Sequence, residues 1–61
     1  MSFKDFRRKA CLEVNEAAKA LQISIHTLYK IEEGRRKPSV KLIRRMCELY
    51  KVTIEELFSL L

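Results

Sequence analysis

Sixty-one residues allow one domain and no more, because a chain of this size buries only about 60% of the surface its unfolded form exposes. Apolar residues make up 48% and charged residues 34%, a globular balance that excludes a disordered chain. One Gly and one Pro leave too few turn residues for a sheet, and the net charge of +5 suits an anionic partner or simple solubility.

Ser2 is placed to cap helix 1, which runs from about Phe3 to Ala10. Phe3, Phe6 and Ala10 recur at helical spacing, with Lys4, Arg7, Arg8 and Lys9 on the other face. Val14 to Leu21 reads as helix 2, whose Ala17, Ala18 and Leu21 make a small-residue face that lets another helix approach closely. Ser24 caps helix 3, which continues to Glu33. Leu28 and Ile31 point inward from it, Ile25, His26, Tyr29, Lys30 and Glu33 largely outward, and Gly34 stops it. After the charged loop Arg35-Arg36-Lys37-Pro38, Ser39 caps a helix 4 of about three turns with Val40, Ile43, Met46, Cys47 and Tyr50 on its inner side. Thr53 and Glu56 form a capping box that opens a short helix 5 through Leu57 and Phe58. Five helices with such short connections predict an all-α bundle around one core, in a single domain spanning 1–61.

The positive charge is concentrated. Lys30, Arg35, Arg36, Lys37, Lys41, Arg44 and Arg45 fall within sixteen residues against Glu32 and Glu33, whereas the chain after Arg45 is net negative. A phosphate-facing surface requires such concentration. Cys11 and Cys47 are too few and too far apart for a disulfide scaffold and read as reduced thiols, Cys47 buried. No apolar run approaches the roughly 20 residues of a membrane span, and the start of the chain lacks a signal-peptide core, so the cytoplasm is expected.

From Phe3 to Phe58 this order resembles the Cro/repressor-type helix-turn-helix family, the xenobiotic-response-element-like transcriptional regulators. The residues that carry the likeness are Phe3, Phe6 and Arg7; Ala17-Ala18 with Leu21; the turn Gln22-Ile23-Ser24; Leu28, Ile31, Glu32 and Gly34; Lys37-Pro38-Ser39; and the run from Tyr50 to Leu57. The resemblance implies a lambda-repressor-like fold with helices 2 and 3 forming the helix-turn-helix at about 14–33. It also implies sequence-specific binding of double-stranded DNA by Ser24 to Glu33 in the major groove, with repression by operator occupancy. No cofactor, metal, small-molecule ligand, membrane or catalytic activity is expected, and the origin would be prokaryotic or phage. Three departures stand out at Cys11, Gln22 and Lys51, where the family places Gly; a left-handed residue there would cost roughly 1 kcal/mol, or the turns lengthen or the helices overrun. A fourth is Val14, which stands where a polar phosphate contact is usual and cannot donate.

Ile25, His26, Tyr29 and Lys30 are the candidates for base contacts, since early exposed residues of a groove-inserted helix face the bases. Ile25 suits a thymine methyl, Lys30 guanine O6 or N7, and His26 a purine acceptor. Tyr29 either reaches the groove or packs back on the domain, and the plain alternative for the set is a solvated helix face. Asn15, Thr27, Arg35, Arg36 and Lys37 are the candidates for phosphate, Thr27 alternatively for a methyl; Lys41 and Arg44 lie on a face whose orientation stays open. Arg7 and Glu32 match family positions that form an ion pair between helices 1 and 3. Ile54, Leu57, Phe58, Leu60 and Leu61 exceed what so small a core can cover and suggest a homodimer through helix 5. Two rivals remain: a protein-interaction module such as an antitoxin or anti-repressor partner, and a non-specific DNA-binding protein.

Overall fold

Four of the five helices begin at a Ser or Thr whose side chain satisfies an amide the helix itself leaves unpaired. In the computed structural model, which describes all 61 residues, the order is α1 (Phe3–Lys9), α2 (Val14–Leu21), α3 (Ile25–Glu32), α4 (Val40–Tyr50) and α5 (Ile54–Phe58), with no strands. Ser2, Ser24, Ser39 and Thr53 each accept from the amide three residues on, at 3.2, 3.0, 3.1 and 3.1 Å. Glu13, which the sequence reading passed over, precedes α2, and its amide donates to the Glu16 carboxylate at 2.9 Å.

Four helices end in one motif, a left-handed residue followed by a residue whose amide reaches back five positions. Cys11 (φ 61°), Gln22 (φ 61°), Gly34 (φ 79°) and Lys51 (φ 57°) are the left-handed residues. The returning bonds are Leu12 N–H to Arg7 C=O at 3.2 Å, Ile23 to Ala18 at 3.0 Å, Arg35 to Lys30 at 2.8 Å and Val52 to Cys47 at 3.1 Å. The turns therefore neither lengthen nor overrun at the three positions lacking Gly; the backbone keeps the strained conformation. A compensation is visible in each case. Leu12, Ile23 and Val52 pack against the core, and this apolar anchor commonly accompanies the motif. At the exit of α3 the following residue is the exposed Arg35, which provides no anchor, and there the chain does carry Gly.

The core is assembled from Phe3, Phe6, Ala17, Ala18, Leu21, Leu28, Ile31, Leu42, Ile43, Met46, Tyr50 and Leu57. Ala17 and Ala18, essentially without exposure, let α2 approach closely; α2 packs on α3 and α4, α1 on α3 and α4, and α5 on α4. Two expectations for α4 need correction. Val40 is 56% exposed, because the inner face begins with Leu42 and Ile43, and the first turn stands beside the Arg36-Lys37 loop rather than over the core. Cys47 is only half-buried, although desolvation still pushes its thiol upward.

Candidate nucleic-acid interface

With about 100° of rotation per residue, α3 divides cleanly. Leu28 and Ile31 face the core with 0% and 2% exposure, so His26 and Glu33 stand on the opposite side. Ile25 and Tyr29, 44% and 46% exposed, occupy one margin of the outward face, and Thr27 the other. Lys30 is half-buried and stands between His26 and Thr27 in angular position. Tyr29 is half-covered, lining a cleft with Lys4, Arg8 and Val14 on one side and standing beside His26 and Arg35 on the other.

Thr27 shares a hollow with Arg36, Lys37, Lys41 and Arg45. The hydroxyl of Thr27 also accepts from the Ser24 hydroxyl at 2.9 Å, which fixes its direction at the helix start. The loop thus brings two basic residues beside the start of α4, and the first two turns of α4 contribute two more, Lys41 and Arg45; Arg44 does not join this group. Arg45 was missed from sequence because it is half-buried on the flank of α4, and the only sequence signal was its membership of the basic run. Arg35 parts company with its loop neighbours. It sits by His26 and Tyr29 at the outer end of α3, 3.3 Å from Glu33. Asn15 is exposed in the first turn of α2.

Arg7 and Glu32 are joined by two hydrogen bonds, Nε to Oε2 at 2.7 Å and a second guanidinium N–H to Oε1 at 3.2 Å. Arg7 also donates to the Leu12 carbonyl at 2.9 Å, tying α1, the α1–α2 turn and α3 together. Bonding to Glu32 holds the guanidinium even higher than its ordinary value against the opposing effect of burial. Beside the pair lies Tyr50, whose buried hydroxyl has no hydrogen-bond partner. Desolvation, with the Glu32 charge adding and the Arg7 charge opposing, pushes its pKa up to about 12.

A helix-turn-helix family model matches residues 2–60. The chain belongs to the helix-turn-helix domain family. Domains of this family are typical of Cro-like and xenobiotic-response-element-like regulators, and membership supports DNA binding by this domain. No curated protein and no solved structure matches the chain. No helix is long and apolar enough to cross a membrane.

The apolar C-terminal group divides within this helix-turn-helix domain. Leu57 is fully enclosed and closes the core, so it is withdrawn from any contact surface. Ile54 and Leu60 are half-buried against the core, leaving Phe58 and Leu61, 43% and 51% exposed, as the residues that face outward.

Proposed function

We propose that this domain is a sequence-specific regulator of transcription that inserts α3 into the major groove and represses by occupying its operator. The observation that supports it most is the union of an outward α3 face carrying Ile25, His26, Tyr29 and Lys30 with a basic hollow along one margin. A groove-inserted helix needs side chains aimed at base edges and cations at its border to meet phosphates. Ile25 contacts a thymine methyl, Lys30 and His26 donate to purine acceptors, and Tyr29 lies over the wall of the groove. Asn15, Thr27, Arg35, Arg36 and Lys37 fix the register on phosphates. Two copies pair through Phe58 and Leu61, flanked by Ile54 and Leu60, and read half-sites about one helical turn, roughly 34 Å, apart.

Salt titration of duplex binding tests the proposal. Neutralising about four to six phosphates per protomer makes log affinity fall with log salt at a slope of roughly −4 to −5; salt-independent binding, or none, would overturn it. On a site selected from random duplexes, Lys30→Ala should narrow the gap between selected and random DNA. Arg36→Ala should weaken both about equally, and equal losses from the two variants would remove Lys30 from base readout.

A further inference from the structure

The margin of α3 opposite the Arg36-Lys37 hollow is also bordered by cations, and they come from α1. Lys4 and Arg8, four residues apart and therefore on one face, line a cleft with Val14 of α2 and Tyr29 of α3. Both are exposed, and neither is engaged in an ion pair. Arg7 also reaches this cleft but is committed to Glu32, and Glu13 is the one acid on its wall. Thr27 and Tyr29 are separated by about 200° around the helix axis, so the two basic groups lie on opposite sides of α3.

The DNA geometry makes that opposition informative. A major groove about 12 Å wide is walled by one phosphate strand on each side, and a helix of about 10–12 Å diameter fills it. A helix seated there meets both walls at once. Val14 cannot donate to phosphate from the first turn of α2, and the cleft it borders is lined by Lys4 and Arg8.

Building on the DNA-binding reading above, we propose that Lys4 and Arg8 form a second phosphate-binding flank. In this arrangement α3 is held between the two strands of the duplex, α1 gripping one and the Arg36, Lys37, Lys41 and Arg45 group the other. Arg8 presents a planar fork suited to two phosphate oxygens, and Lys4 a mobile point charge. The polar role that Val14 leaves vacant on α2 is thereby taken over by the neighbouring helix.

The test is salt-dependent binding of a duplex by wild type, Lys4→Gln/Arg8→Gln and Lys9→Gln, with phosphate-ethylation interference on each strand. Lys9 is the control, because it lines a different cleft, beside Phe6 and Tyr50. At about 0.9 per neutralised phosphate, the double variant should lose about 1.8 from the slope, and Lys9→Gln nothing. Within each half-site, interference should weaken on one strand in the double variant and on the other in Arg36→Gln/Lys37→Gln. The charge-keeping exchange Lys4→Arg/Arg8→Lys should retain the wild-type slope, which separates charge from any effect on folding. Wild-type binding with an unchanged slope in the double variant, or an equal loss in Lys9→Gln, overturns the α1 flank alone. A wild-type protein that binds no duplex overturns the DNA-binding reading and this one with it.

Discussion

Glu32 and Glu33 are chain neighbours, each paired with an arginine, yet helical rotation turns one into the domain and the other out of it. Arg7 and Glu32 meet at 2.7 Å with side chains 8% and 5% exposed, whereas Arg35 and Glu33 meet at 3.3 Å with 65% and 56% exposed. Having lost its water, the inner pair depends on its partner to keep each charge compensated. The outer pair keeps most of its hydration and contributes about 0–1 kcal/mol. Arg35 can therefore exchange a carboxylate for a phosphate at little cost, while Arg7 cannot be released without loosening the joint between α1 and α3. Burial, rather than the presence of a partner, separates the arginine that builds the domain from the arginine available to a ligand.

The largest test of that contrast is Arg7→Ala, which leaves Glu32 charged and enclosed. Denaturant unfolding should show a loss of about 3–5 kcal/mol, enough to abolish a cooperative transition in so small a domain. A variant that unfolds at the wild-type midpoint would show the inner pair to be dispensable.

Next in size is the alkaline limb of stability, set by the tyrosine beside that pair. Tyr50 holds its proton to about 12 in the folded chain, against about 10 when unfolded. Its contribution is complete below pH 10 and lost as pH rises through 12, on the order of 2–3 kcal/mol in total. Tyr50→Phe should flatten this limb and, by removing a buried hydroxyl without a partner, change neutral stability by no more than about 1 kcal/mol in either direction. A Phe variant that keeps the wild-type alkaline profile would place the effect elsewhere.

The smallest effect belongs to the outer pair. Glu33→Gln should leave unfolding within about 0.5 kcal/mol of wild type. It should also raise duplex affinity by about twofold to fivefold at low salt, as Arg35 is freed and a repelling carboxylate removed. Weaker binding would mean that Glu33 accepts from a base rather than restraining Arg35.

What was readable in advance was local. Serine and threonine caps, Gly34 and the spacing of Leu28 and Ile31 located four helix starts and the outward face of α3, because each depends on residues within one or two turns. What escaped depends on distant neighbours. Val40 and Leu42 exchanged roles since periodicity alone cannot say where a helix leaves the core. Leu57 looked available for a partner because an apolar count does not distinguish a residue that closes the interior from one beside it. Lys4 and Arg8 were visible as a polar face of α1, but only the packing of α1 beside α3 turns that face toward Tyr29. Cys11, Gln22 and Lys51 teach the same lesson from the backbone. Their residue types argued against a left-handed turn, and the apolar residues that follow them hold it regardless.

Helix α5 carries this dependence to its limit. Five residues are too few to be helical in isolation, yet Leu57 within them is completely enclosed. This short helix is held to the core by Leu57, with Ile54 and Leu60 packed beside it, and its start is fixed by the Thr53–Glu56 capping box. Without those tertiary contacts the segment would not hold a helix at all.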